Sequence, residues 1–337
     1  MGRQGGKHVG YLRRRIGFYV FALWAAVTLN FLIPHLMPGN PAELMVAKFR
    51  GKLSPQALHM FEQQFGINLH ATLWQNYLSY LTNLVHLQWG ISFAYFPDPV
   101  SLVIGQALPW TLGLVGISTI IGFVVGTYLG ILSAWHRGGI ADSILPVGFT
   151  FINTFPYFFT ALLVLYIFSF VFGWFPTGQA FSAYHESLKL SFILDVIHHA
   201  ALPAFTLVFG SLGGWLLGMR NNMISTLSAD YVVMAEAKGL PDREVMWRYA
   251  ARNALLPNLT SFAMSLGFVV SGAILVEVVF SYPGVGSLLL TAVTSEDYPL
   301  AQTLLLIIAV TVLVANFAAD LLYGLLDPRA RTGGVEG

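Results

Sequence analysis

The segment Asp230–Pro257 reads DYVVMAEAKGLPDREVMWRYAARNALLP and is the most polar long segment between the apolar runs of the chain. Asp230 can cap a short helix, because its carboxylate can accept hydrogen bonds from the first free backbone N–H groups. Gly239 can end that helix in a left-handed turn, a conformation that glycine adopts readily. Pro241 can then open a second helix, with acidic side chains in its first turn, that ends by Pro257. The pattern predicts two short helices hinged at a glycine.

Three small residues in this segment suggest a contact surface. Ala235, Ala237 and Gly239 would let the surface of a partner protein approach closely. The spacing alone is equally compatible with an ordinary connecting loop, so other features of the chain have to decide between the two interpretations.

The composition excludes a soluble two-domain protein. Of 337 residues, 56% are hydrophobic and 10% are charged. Several apolar runs approach or exceed the roughly 20 residues that span a bilayer as a helix. The sequence contains no cysteine, which excludes a disulfide framework and a thiolate zinc site. The net charge of +1 gives no indication of a nucleic-acid partner. We predict an all-α, polytopic membrane protein.

Six apolar runs organise the chain. A basic N-terminus, 1–15, precedes a first span at 16–36, which we interpret as an uncleaved transmembrane helix because no clear small-x-small cleavage site follows. Residues 110–329 form the core with five further spans, expected at about 110–134, 143–172, 201–219, 258–280 and from about 300 to 325. Within that core, 220–257 connects the fourth span to the fifth, and 330–337 form a tail.

Between the first two spans, residues 37–109 form a polar or amphipathic insertion. Trp74, Tyr77, Leu78 and Leu81 are spaced for one face of a helix. We expect helices that either lie on the outer membrane surface or pack over the mouth of a pore.

The basic residues indicate how the six spans are oriented. With the N-terminus in the cytoplasm, thirteen lysines and arginines fall in inner segments and four in outer segments. This is the bias expected from the positive-inside rule. Both termini and the segment 220–257 are therefore expected in the cytoplasm, and the insertion outside.

Several motifs resemble one family of proteins. Residues 235–240 fit A-x-A-K-G-L, and 250–257 fit A-x-R-N-A-x-L-P, as in the EAA loop of bacterial ABC importer permeases of the peptide/nickel group. Further matches follow in order along the chain: P-G-N-P at 38–41, W-x-x-Y-L-x-Y-L at 74–81, W-G-I-S-F at 89–93, E-x-x-F-x-x-P-G-x-G at 277–286 and D-L-x-Y-x-x-x-D-P-R at 320–329. The resemblance covers Arg13 to Arg329.

The resemblance implies a B-type permease subunit with a type I importer fold in a bacterial or archaeal plasma membrane. Such a subunit would pair with a second, homologous permease as a heterodimer, with two cytoplasmic ATPase subunits or domains and with an extracytoplasmic substrate-binding protein. The segment 230–257 would be the site that couples to the ATPase. The residues expected there are Asp230, Tyr231, Ala235, Glu236, Ala237, Lys238, Gly239, Leu240, Arg252, Asn253 and Pro257.

Cofactors and catalysis are assigned to the partners. The chain has no G-x-x-x-x-G-K-[ST] motif, so ATP and Mg²⁺ are expected on the ATPase subunits and no cofactor on this chain. Asp195 could be joined by only one of His198 and His199, because adjacent helical residues point in different directions. A zinc site needs at least three protein ligands, so we expect no metal here. We expect a membrane component rather than an enzyme.

Polar and small residues within the spans have two interpretations each. Asn153 and Thr154 are candidates for lining the translocation pathway, with interhelical hydrogen bonding as the alternative for Asn153. Gly122, Gly126 and Gly130 form a small-residue face for close helix packing, with a hinge as the alternative.

The expected substrate is a di- or oligopeptide, with oligosaccharides or nickel as alternatives for the same machinery. An ion-coupled secondary carrier is the alternative from a different class. Such a carrier would need ionisable groups near the membrane centre. Glu277 and Asp320 are the acids in or beside spans, and both are more simply packing or interface residues.

Overall fold

The computed structural model describes residues 2–36, 72–182, 189–271 and 273–326. The predictions for 37–71, including P-G-N-P, and for the tail at 330–337 lie outside these residues. Within them every regular element is helical apart from an isolated bridge between Ile91 and Pro99. The all-α prediction is confirmed.

The described residues form the following α-helices. They are α1 (Gly2–Leu36), α2 (Leu73–Val85), α3 (Val100–Thr111), α4 (Ile117–Trp135), α5 (Ile140–Asn153), α6 (Tyr157–Val164), α7 (Leu190–Leu227), α8 (Asp230–Ala237), α9 (Asp242–Glu244), α10 (Arg252–Phe268), α11 (Ile274–Val279), α12 (Val285–Thr294) and α13 (Tyr298–Leu326). Segments of π-helix at Leu112–Gly116, Leu165–Val171 and Val245–Ala251 continue their neighbouring helices, and a short 3-10 turn covers Val269–Ser271.

Within the described residues, six helical segments are long and apolar enough to span a membrane when one broken pair is counted as a single span. The five unbroken ones are Arg14–Leu32, Val100–Trp135, Leu190–Leu227, Asp242–Ser271 and Tyr298–Leu321. The sixth is the pair Asp142–Asn153 and Tyr157–Val171, whose two parts are bent by 93° at the break between them. The predicted six-span architecture is confirmed, with its third span interrupted.

Several span limits differ from the expected ones. The second span begins at Val100 and contains Pro109, and the fourth span belongs to the much longer helix α7. The fifth ends at Ser271, so the helix α11, which was expected within it, is separate. The predicted limits followed prolines and changes in polarity. Membrane helices tolerate proline where neighbouring groups satisfy the freed carbonyl, and helices extend beyond their apolar part.

The chain divides into two compact units, 1–107 with 288–313 and 108–287 with 314–337. In the second unit, α4 and α7 pack backbone to backbone. A Cβ on Gly126 would lie 2.6 Å from Cβ of Trp215, and one on Gly130 would lie 2.6 Å from the carbonyl oxygen of Leu216. The packing interpretation of the glycine face is confirmed.

In the first unit, two sets of polar contacts join distant parts of the chain. Asn30 in α1 donates to the hydroxyl of Tyr80 in α2 and to the carbonyl of Gln302 in α13. The buried Asp297, just before α13, accepts hydrogen bonds from the Ser92 hydroxyl at 2.5 Å and from the backbone N–H groups of Phe93 and Ala94. The second set gives a structural role to two residues of the W-G-I-S-F motif, because Ser92 and Phe93 donate to Asp297.

Candidate coupling site

Helix α8 has one buried face and one exposed face. Val232 and Ala235, three residues apart, are buried in a cluster that includes Met219 and Met223 of α7. The exposed residues are Asp230, Tyr231, Val233, Met234, Glu236, Ala237 and Lys238. Tyr231, Val233 and Met234 are exposed apolar side chains beside charged ones. An apolar patch rimmed by polar residues is typical of an interaction surface.

Two expectations about this helix are wrong. Ala235 does not offer space to a partner, because it packs into the core of its own chain. Asp230 does not cap the helix either. The cap residue is Ala229, in extended backbone conformation and without a side-chain hydrogen bond, and Asp230 lies in the first helical turn. A carboxylate in that turn still interacts favourably with the positive end of the helix dipole.

The end of α8 confirms the predicted glycine turn. Gly239 has φ +75°. Its N–H donates to the carbonyl of Glu236 at 2.8 Å, and the N–H of Leu240 donates to the carbonyl of Ala235 at 3.4 Å. These two bonds define a Schellman motif, and Leu240 packs against the same core as Ala235. A Cβ on Gly239 would meet nothing within 4 Å, so only the backbone conformation requires glycine.

The second helix begins one residue later than expected and does not end where expected. Pro241 is its cap residue, and Asp242 and Glu244 are in the first turn as predicted. The prediction that this helix ends by Pro257 is wrong. Pro257 lies inside α10, and the helical stretch from Asp242 to Ser271 is continuous.

The helix is irregular on the N-terminal side of the proline. A π-helical segment, Val245–Ala251, lies immediately before α10. Local π adjustments are one means by which membrane helices accommodate proline. The second coupling helix and the fifth span form one continuous rod instead of two elements with a joint.

The base of this rod is embedded in the protein. Val245, Ala250, Ala251 and Ala254 are buried and share a cluster with Ile131 and Ala134 of α4. On the outer side, Trp247 stacks on Tyr128 of α4 with ring centroids 6.0 Å apart. The rod therefore contacts the second span as well as α7.

Three predicted residues lie on the outer surface of the rod. Arg252, Asn253 and Pro257 are exposed. The side-chain amide of Asn253 donates to the carbonyl of Tyr249 at 3.0 Å, one turn earlier. With the exposed face of α8, these residues give the segment two exposed surfaces separated by the turn at Gly239.

An ion pair near the start of the segment was missed by the sequence analysis. Arg220 Nε donates to Asp142 Oδ1 at 2.6 Å. Asp142 also accepts from the Ser133 hydroxyl at 3.1 Å and from the backbone N–H of Gly138 at 3.0 Å. The pair links α7 to the first turn of α5. The two residues are 78 positions apart, and no local pattern in the sequence indicates that they meet.

The break in the third span lies at the predicted pathway residues. Asn153 ends α5, Thr154 follows it, and both are exposed. The Thr154 hydroxyl donates to the carbonyl of Thr150 at 3.1 Å. The Asn153 amide lies against Gly213 of α7, where any Cβ would collide with it. Irregular backbone at membrane depth is tolerated where it is buried in protein or lines a water-filled cavity.

Comparison with known proteins identifies the family. Residues 126–332 match the family described as "Binding-protein-dependent transport system inner membrane component". The chain belongs to this family. It is a multi-pass membrane permease component of such transport systems.

Several relatives align with the permease over nearly its whole length. It is 34% identical to the oligopeptide transport system permease protein AppB of Bacillus subtilis, over 95% of this chain and 98% of the relative. It is 32% identical to the di/tripeptide transport system permease protein DppB of Pseudomonas aeruginosa, over 96% and 99% of the two chains. It is also 32% identical to the glutathione transport system permease protein GsiC of Salmonella typhi, over 95% and 98%.

Glu277 and Asp320, the two acids considered for a secondary carrier, are buried and half-buried in the permease. Glu277 is buried and accepts hydrogen bonds from the Thr111 hydroxyl at 2.9 Å and from the N–H groups of Gly286 at 2.7 Å and Ser287 at 3.2 Å. Gly286 and Ser287 belong to the first turn of α12, so the carboxylate caps that helix. Asp320 is half-buried within α13.

His198 and His199 contact different groups, as expected for adjacent residues on a helix. His199 Nδ1 lies 3.3 Å from Asp195 Oδ1, whereas His198 Nε2 is within 3.0 Å of the carbonyl oxygen of Trp174. Among the described residues of the permease, no three His, Cys, Asp or Glu side chains come together as a metal site.

Proposed function

We propose that this permease is the pore-forming subunit of an importer for di- or oligopeptides, driven by ATP hydrolysis on separate subunits. The motion of the ATPase would reach the spans through 230–257. The observation that carries this proposal is the exposed face of α8, joined by the Gly239 turn to a rod that continues into the fifth span.

The coupling role follows from how the segment is built. Helices transmit displacement along their length, and the rod Asp242–Ser271 has no interruption at the level of Pro257. Its base shares a packed cluster with α4 and α7, and packed cores move as units. A push on α8 and on the outer surface of the rod would therefore tilt three spans together. This motion would exchange inward and outward access to the pathway.

The proposed partners supply the functions for which this chain has no recognisable residues. ATP and Mg²⁺ would be bound by two cytoplasmic ATPase subunits or domains, because this sequence lacks the phosphate-binding loop. A homologous second permease would complete the pathway as a heterodimer, and an external binding protein would deliver the substrate. Both termini would be cytoplasmic. Asn153 and Thr154, at the break in the third span, would line the pathway.

The substrate class rests on the named relatives. The oligopeptide, di/tripeptide and glutathione systems all carry peptides, and their permeases align with almost the whole chain. Oligosaccharide or nickel import by the same machinery remains the alternative. A secondary carrier is not favoured, because Glu277 caps a helix and no carrier mechanism requires the segment 230–257.

The proposal is tested by adding a charge to the exposed face of α8. Ala237→Glu should leave the spans inserted and the protein level unchanged, because Ala237 is exposed. It should abolish copurification of the ATPase subunits and uptake of labelled peptides, because it places charge and volume in a close protein contact. The control is Gln88→Glu, which adds the same charge at an exposed residue outside the membrane spans. Full uptake by the Ala237 variant would reduce the segment to a connector.

A further inference from the structure

Helix α2 carries an apolar stripe that the described residues leave largely uncovered. Trp74, Leu78, Leu81 and Val85 recur at the spacing of one helix face. Trp74 is 65% exposed, Leu78 is 46% exposed and Val85 is 77% exposed. The helix has no charged residue along its length. The stripe therefore needs a covering that is itself apolar.

The position of α2 is set by contacts with the end of the first span. The hydroxyls of Tyr77 and Thr28 are hydrogen-bonded at 2.8 Å, and Asn30 donates to the Tyr80 hydroxyl at 3.1 Å. Both tyrosine rings also pack on Phe31, with centroids 5.2 and 5.5 Å away. At about 1.5 Å per residue, these α1 residues lie within about 6 Å of the span's last residue. The helix thus lies at the level where the hydrocarbon layer ends.

Three different surroundings can be assigned around α2. Successive helical residues are about 100° apart, which places the stripe roughly 100° from the side that carries Tyr77, Tyr80 and Leu84. The uncharged polar side chains, Gln75, Asn76, Ser79, Thr82 and Asn83, occupy the remaining side. One side thus faces protein, one is polar, and the third is exposed and apolar. A helix at the edge of a bilayer beside a span has these three surroundings.

We propose that the stripe Trp74, Leu78, Leu81 and Val85 is a membrane anchor that contacts lipid where the headgroups meet the acyl chains. On the expected topology this is the outer leaflet. Trp74, an amphipathic ring at one end of the stripe, is a residue type enriched at that level of a bilayer. The anchor holds α2 in the membrane plane at the end of the first span, and it leaves the polar side toward water.

The absence of cysteine allows each position to be spin-labelled singly. The full-length chain, purified with its copurifying subunits, is reconstituted into phosphatidylcholine and phosphatidylglycerol vesicles. Labels at Leu78, Leu81 and Val85 should collide severalfold more with oxygen, which concentrates in lipid, than with a water-soluble nickel chelate. Labels at Ser79 and Thr82 on the polar side should show the reverse. Retained uptake confirms that each labelled protein is folded.

Two results would overturn the anchor. If the stripe labels collide with nickel as often as those at Ser79 and Thr82, the stripe faces water. If they are immobilised and reach neither reagent, a protein covers the stripe, and the surface is a docking site for a partner such as the external binding protein.

Discussion

Gly239 holds a backbone conformation that other residues adopt only with strain. We expect Gly239→Val to destabilise the turn locally by about 1–2 kcal/mol, because a β-branched residue is strongly disfavoured at positive φ. This cost would redirect α8 without preventing insertion of the spans. Gly239→Asn is the matched control, because asparagine tolerates the left-handed region and a Cβ there meets nothing within 4 Å. Peptide uptake and copurified ATPase should fall for valine and persist for asparagine. Equal loss for both variants would contradict the backbone explanation.

The Arg220–Asp142 pair should stabilise the fold more than a surface pair does. The side chains of Arg220 and Asp142 are only 22% and 9% exposed, whereas those of Arg248 and Glu244 are 77% and 33% exposed. Arg220→Gln should lower the free energy of unfolding by roughly 1.5–3 kcal/mol, since hydrogen bonds to charged groups contribute about that much. Arg248→Gln should lower it much less, because an exposed ion pair is screened by solvent. Thermal unfolding of the detergent-purified protein compares the two. Similar shifts would show that the pair contributes no more than a surface contact.

At the scale of elements, the contact between α4 and α7 depends on the absence of side chains. We expect Gly126→Ala to destabilise the protein by about 1–3 kcal/mol, because the added methyl overpacks a contact between two helix backbones. Gly113→Ala should be neutral or slightly stabilising, because a Cβ there meets nothing within 4 Å. Both changes add one methyl group to the same span. Folded yield and melting temperature should fall only for the Gly126 variant, and equal behaviour would contradict the close approach.

At the scale of the whole molecule, the expected topology can be tested with single cysteines. Lys189, before α7, and Ser228, after it, are both exposed and lie at opposite ends of one membrane-crossing helix. In intact cells, an impermeant thiol reagent should label Lys189→Cys and leave Ser228→Cys unlabelled. Permeabilised cells, in which both should react, provide the control. The opposite pattern in intact cells would invert the topology and place the segment 230–257 outside.

The sequence alone determined the features that depend on local chemistry. Hydropathy separated six spans, because an apolar run of sufficient length has no stable alternative to a helix in lipid. The left-handed turn at Gly239 was predictable, since it follows from the conformational preference of glycine at the end of a short helix. The break near Asn153 was not predicted, because that segment was expected to be one span. The helix in the insertion, at Leu73–Val85, followed from its periodicity.

The tertiary structure decided which faces are buried and which distant residues meet. Ala235 points into its own core because α8 packs on the methionines of α7, and nothing within the segment specifies that side. Arg220 pairs with Asp142 because α5 packs against α7. The helix continues past Pro257, although the residue itself favours a stop, because the helix is part of a packed membrane span. Burial and pairing depend on the summed packing of several helices, and that information is absent from any one stretch of the chain.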